Sequence, residues 1–205
     1  MSSPNRELIQ RDLDFFQLII PKSGRPKSQT VLAPLERNLL QDGTGQKIIV
    51  NFCSDSTYCE NKLKHMWKLV PKTHIHPCNG GAIVLHPDTP CRDEELHKSF
   101  YDIYGFGTLY QMKMSMKLEK GKKIIVMAHS NCGVAGLFNL SARQVLLESI
   151  KAAWHIGAYL SIAESRVVVM YTIDFTPFEE DVTKKVVRTY HCTKQSESLL
   201  LAMEA

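Results

Sequence analysis

Three short apolar runs dominate what this chain can fold into: KIIVNF at 47–52, KIIVMA at 123–128 and RVVVMYT at 166–172. None shows the apolar–polar alternation of a strand with one wet face, so each reads as a strand buried on both faces. A pair of shorter runs, at 73–75 and 82–85, reads the same way and completes four candidate strands. Between them lie patterns of helical period. Leu96, Phe100, Ile103, Gly107, Tyr110, Met114 and Leu118 form one apolar stripe, and Leu146, Ile150, Ala153, Gly157 and Leu160 form another. Gly107 and Gly157 fall on those stripes, where a missing side chain would let helix and sheet approach closely. Near-continuous strands alternating with helices predict an α/β fold with a mainly parallel central sheet flanked by helices.

The first forty residues read differently. Pro4 after Ser3 is a reasonable helix start, and Ile9, Leu13, Phe16 and Ile20 recur at helical spacing up to Pro21. A loop rich in Gly, Pro, Lys and Ser follows, and Gly43 and Gly45 announce a turn. The expected organisation is an N-terminal helix and extended arm over 1–40, then one α/β domain over 41–205. With 44% apolar and 22% charged residues, neither a disordered nor a fibrous chain fits. The net charge of +4 is spread without a dense basic run, which argues against a nucleic-acid partner. No apolar stretch approaches the roughly 18 residues of a membrane span, and the N-terminus lacks the apolar core of a signal peptide. A cytoplasmic, reducing home is expected, where six cysteines serve as thiols or metal ligands rather than as a disulfide framework.

Ligands of open α/β sheets bind beyond the carboxyl ends of the strands. The first strand runs into Cys53-Ser54-Asp55-Ser56, and the 123–128 strand runs into His129-Ser130-Asn131-Cys132-Gly133. One tight turn can aim His129 and Cys132 at a common point, and Cys53 from another strand completes a Cys2His set. Zinc takes thiolate sulfur and imidazole nitrogen, and three protein ligands leave its fourth position open. A single strand-end cysteine is ordinarily a small buried hydrophobe, and a single histidine a hydrogen-bonded core residue. The coincidence of all three carries the zinc reading, and with it a zinc-binding domain at 41–205.

CSDS after one strand and HSNCG after a later one resemble the C-x-D-S-R and H-x-x-C-G motifs of the β-class carbonic anhydrases. Asn79-Gly80-Gly81 is similar to a glycine-containing segment of that family, and the resemblance spans about 47–136. It implies a β-carbonic-anhydrase-like fold and reversible hydration of carbon dioxide to bicarbonate, with zinc (Zn2+) lowering the pKa of its bound water to about 7. It implies Cys53, His129 and Cys132 as zinc ligands. Asp55 would be the catalytic carboxylate that accepts a hydrogen bond from the water, or else the fourth ligand itself, and Gly133 would border the substrate pocket. A homodimer or a multiple of one is expected, with a neighbouring subunit covering the N-terminal helix.

One departure bears on activity. The family's arginine after C-x-D-S is Thr57 here, and a hydroxyl cannot supply a charged bidentate fork to Asp55. Arg92, in the long segment after the second strand, is a candidate substitute. Three alternatives stand beside the lyase: a catalytically silent zinc-binding relative, which loss of the arginine supports; a hydrolase of carbonyl sulfide or carbon disulfide on the same scaffold; and, least favoured since no C-x-x-C pair exists, a redox or metal-sensing thiol protein using Cys53 and Cys132 without stable zinc. The insertion around 86–97 reads as a solvated surface loop, His74 and His76 as structural or solvent-facing residues, and Trp67 and Trp154 as packing residues.

Overall fold

A computed structural model of the protein describes residues 6–20, 30–35, 48–54, 73–119, 123–176, 186–193 and 196–203. Asp55, Thr57, Cys59 and Trp67 lie outside them. Eight strands are present among the described residues: β1 (Leu32–Pro34), β2 (Ile48–Cys53), β3 (Thr73–Cys78), β4 (Arg92–Asp93), β5 (Lys98–Ser99), β6 (Lys123–His129), β7 (Val167–Asp174) and β8 (Val187–Cys192). The helices are α1 (Arg6–Ile19), α2 (Phe106–Glu119), α3 (Gly133–Leu137), α4 (Ala142–Leu160) and α5 (Ser196–Ala202). No helix is long and apolar enough to cross a membrane among the described residues.

The main sheet has the order β1-β8-β7-β6-β2-β3. β3, β2, β6 and β7 are parallel to one another, whereas β8 runs antiparallel to β7 and β1 antiparallel to β8. The fold is thus α/β with a mostly parallel central sheet and flanking helices, and the apolar runs are its central strands. Both faces of those strands are buried: Ile49 and Cys53 join one apolar cluster, and Ile48, Val50 and Phe52 another with Ile125, Met127 and Met170. The sheet reaches into the first forty residues through β1. Part of the apolar side of α1 is covered within the chain, because Phe16 and Ile19 are fully buried and the Phe16 ring meets Tyr171 of β7.

Several residues behave otherwise than the sequence suggests. Residues 82–85 are not a strand: Gly81–Val84 form a 3-10 turn. Gly80 and Gly81 have φ of 85° and 56°, which bends the chain out of extended conformation, and the apolar run becomes a buried plug under α4. The stripe from Leu96 to Leu118 is not the buried face of its helix. A π-helical turn over Tyr101–Gly105 precedes α2 and shifts its phase. Gly105, Thr108, Leu109, Met112 and Ser115 face inward, while Tyr110 and Leu118 are 55% and 77% exposed. The close-approach glycine is Gly105, whose added Cβ would lie 2.2 Å from the Val84 carbonyl oxygen, whereas Gly107 has open space around it. The α4 stripe is buried at Leu146, Ile150, Ala153 and Gly157, but Trp154 is exposed rather than packed.

The 86–97 insertion is only partly a surface loop. Thr89 and Cys91 are buried, and Thr89 Oγ1 donates to the Ile83 carbonyl at 2.8 Å, tying the segment to the 3-10 turn. His86 Nε2 meets the Glu148 carboxylate of α4 at 2.6 Å, and Lys151 Nζ meets its other oxygen at 2.7 Å. Burial alone would raise the Glu148 pKa. Hydrogen bonds from His86 and Lys151, together with their charges, outweigh burial and draw it below its ordinary 4.5. A depressed carboxylate stabilises the fold above its unfolded pKa, and that contribution is lost as pH falls through the folded value. Denaturant midpoints between about pH 6 and pH 3 should therefore fall more steeply for the native chain than for Glu148→Gln. Parallel pH profiles would remove the ion pair from the account.

Candidate metal centre

The site is assembled by the carboxyl ends of two adjacent parallel strands. Cys53 ends β2 and His129 ends β6, so pairing of these strands brings them together although they are far apart in sequence. Beyond His129 the chain turns through Ser130 and Asn131, the latter at φ 57°, and this turn returns Cys132 to the same point as the residue preceding α3. The turn is pinned to β7: the Ser130 N–H donates to the Thr172 carbonyl at 2.9 Å, and Ser130 Oγ accepts from the Asp174 N–H at 2.8 Å.

Cys53, His129 and Cys132 are 3%, 1% and 5% exposed, and one ligand atom from each lies within 4.8 Å of the others. The Sγ atoms of Cys53 and Cys132 are 3.8 Å apart. Two thiolates bound at about 2.3 Å to one tetrahedral ion would also lie about 3.8 Å apart. The histidine is suitably oriented, for its Nδ1 lies 2.8 Å from the Ser130 carbonyl. Donation of the Nδ1 proton to that carbonyl leaves the lone pair on Nε2, as in many metal-bound histidines. These three residues can hold a metal ion. Although the ligands are buried, Ser54, Asn131 and Gly133 beside them are exposed, so the cluster sits just under the surface.

With no cation between them, the two thiols oppose each other's ionisation. The hydrogen bond with Cys53 and then burial raise the Cys132 pKa far above the ordinary thiol range. A bound cation reverses that balance by stabilising the thiolates directly.

Two neighbours of the site, Cys78 and Gly81, were not among its sequence candidates. Cys78 lies opposite Cys53 in the β2–β3 register, and Asn51 Nδ2 donates to its Sγ at 3.3 Å. Burial pushes the Cys78 thiol up to about 11, which keeps it neutral. Gly81 packs against the ends of both ligand-bearing strands, and a Cβ there would lie 2.6 Å from the Cys53 nitrogen and 2.8 Å from the Met127 carbonyl oxygen. The signal for Gly81 was the Gly80-Gly81 pair itself. For Cys78 only the strand register reveals the proximity.

The remaining candidates fall as follows. Gly133 opens α3 next to Cys132, and a side chain there would meet nothing within 4 Å. Asp55, with Thr57, lies outside the described residues. Arg92 is exposed in the β4–β5 hairpin, where its charge acts on Asp102. His74 and His76 are half-buried on β3, and His76 Nε2 lies 2.9 Å from Ser115 Oγ, a structural contact. Compared with known proteins, the chain matches no family model and no curated protein.

Proposed function

We propose that this protein is a zinc-dependent lyase of the β-class carbonic anhydrase kind, catalysing reversible hydration of carbon dioxide to bicarbonate. One observation carries the reading: the buried Cys53, His129 and Cys132 cluster at parallel strand ends, with a sulfur–sulfur distance suited to a tetrahedral ion. Cys53 Sγ, Cys132 Sγ and His129 Nε2 would hold zinc, and three protein ligands would leave a fourth position for water or substrate. Zinc, when bound, supplies a Lewis acid that brings the pKa of water to about 7. The Ser130 carbonyl holds the imidazole in the ligating tautomer, and burial of the three side chains excludes competing solvent from the ligand atoms. Asp55 would orient the water by accepting its proton in a hydrogen bond.

A second reading is a zinc-binding relative without this activity, and Thr57 in the place of the family's arginine favours it. Hydrolysis of carbonyl sulfide or carbon disulfide is the alternative chemistry on the same scaffold. Stopped-flow assays of zinc-replete protein over roughly pH 6.5–9 should show weak hydration that rises with pH, as water of pKa near 7 ionises. Full zinc occupancy with rates equal to buffer would support the silent reading instead. The dimer also remains a proposal, now supported by the outward apolar stripe of Phe106, Tyr110, Met114 and Leu118 on α2. Light scattering of the same sample should give twice the monomer mass, and a monomer mass would remove it.

A further inference from the structure

We propose that Cys53 and Cys132 also form a redox pair: a hydroperoxide closes them into an intramolecular disulfide, which releases the metal held by the same two sulfurs. The release step rests on the metal reading above, whereas the disulfide does not. Their sulfurs are 3.8 Å apart, so a bond of about 2.05 Å requires about 1.8 Å of closure. Cys53 is fixed at the end of β2, where it pairs with Cys78 of β3, and β2 is held on its other side by β6 as far as Asn51. Cys132 is the partner able to move, since it lies in a turn beyond the sheet, ahead of a helix of only five residues.

Among the described cysteines, other pairings are disfavoured by position. Cys78 Sγ accepts from Asn51 and donates to the Gly81 carbonyl at 3.5 Å, which directs it to the loop beneath the site. Cys91 is buried beside Thr89 in the 86–97 segment, and Cys192 lies in β8. Among the described cysteines, Cys53 and Cys132 are the pair with their sulfurs in contact. Exposed Asn131 and Gly133 flank Cys132, making it the sulfur that a small peroxide reaches first.

The chemistry balances with hydrogen peroxide as oxidant. Cys132 sulfur attacks one peroxide oxygen, the O–O bond breaks, and water leaves after proton transfer, giving a sulfenic acid. Cys53 sulfur then attacks the Cys132 sulfur, the S–O bond breaks and a second water leaves. In the metal-free form two thiols lose two electrons and two protons; in the metal-bound form two thiolates lose two electrons and solvent supplies the two protons, and in both the peroxide is reduced to two waters. A disulfide sulfur carries no thiolate charge, so the metal keeps only His129 from the original set and dissociates.

The test exposes zinc-loaded and metal-free protein to hydrogen peroxide, with thiol counting, a chromogenic zinc chelator and mass-spectrometric mapping of linked peptides. The expected result is loss of two of the six thiols, a Cys53–Cys132 linked peptide, and stoichiometric zinc release in the loaded sample. Dithiothreitol should restore both thiols and zinc uptake. Cys78→Ser should behave in the same way. Linkage through Cys78, stepwise oxidation of one cysteine without a link, or a link formed with zinc retained would each overturn the proposal. Failure of the reduced protein to take up zinc overturns the metal reading and the release step, and the metal-free sample then decides the disulfide alone.

Discussion

Replacing Cys132 with serine is expected to reduce zinc affinity by more than about 100-fold, since even outer-shell partners of metal ligands cost about 10–100-fold. The substitution removes one of the two thiolates and substitutes a hydroxyl that remains protonated near neutrality. Cys53 and His129 would be left as a two-residue site with two open positions, too few ligands for stable retention against a chelator. The fold should survive, because Cys132 lies beyond β6 rather than within the sheet, and its neighbours Asn131 and Gly133 are exposed. Elemental analysis of untagged protein should fall from about one zinc per chain to a small fraction, with an unchanged circular dichroism spectrum. Stoichiometric zinc in a folded Cys132→Ser protein would sink the ligand assignment.

A large loss of stability is expected from adding a single methyl group beside the site. Gly81→Ala places a Cβ 2.6 Å from the Cys53 nitrogen, 2.8 Å from the Met127 carbonyl oxygen and 3.1 Å from the Phe52 carbonyl carbon. All three are backbone atoms of paired strands and cannot rotate aside. The φ of 56° adds a conformational penalty of about 1–2 kcal/mol. Overpacking adds about 1–3 kcal/mol, for a total near 2–5 kcal/mol. Zinc affinity should fall with it, since relief of the clash displaces the Cys53 backbone. Gly107→Ala is the matched control: its Cβ would meet nothing within 4 Å, and a helical Gly→Ala exchange is neutral or stabilising by up to about 1 kcal/mol. Similar denaturant midpoints for the two variants would show that Gly81 is not a packing constraint.

The central strands β2, β6 and β7 and the ligand trio were legible in the sequence for one reason, whereas β1 and β8, short or broken by polar residues, were not. Strands buried on both faces leave uninterrupted Val/Ile runs, and the chemistry sits immediately after them, at Cys53 and His129. The covering layer was harder to read. On α2 the inward face includes Thr108 and Ser115, whose hydroxyls are satisfied by the Tyr104 carbonyl and by His76, so burial there has a polar signature. Only Leu109 and Met112 of its apolar residues are fully buried, while Phe106, Tyr110, Met114 and Leu118 face outward, and a period count prefers that longer stripe. Residues 82–85 misled in a different way, because an apolar tetrad reads alike as a strand or as a buried turn until the φ angles of the preceding glycines are known. The His86–Glu148 pair has no local pattern at all, being a contact between a turn and a distant helix.

The joint between β1 and β8 also imposes an order of assembly in time. Leu32 pairs with Cys192, and Thr193 Oγ1 donates to the Thr30 carbonyl at 2.8 Å, across 163 residues of chain. At synthesis rates of about 5–20 residues per second, β1 emerges roughly 8–30 s before its partner exists. During that interval β2 and β6 can already pair, so the metal-ligand turn is able to form on a sheet whose far side is still missing. The last contacts made would be those that fasten the beginning of the sheet to its end, and a ribosome paused between residues 175 and 190 should carry a chain with β2 and β6 paired and β1 still unpaired.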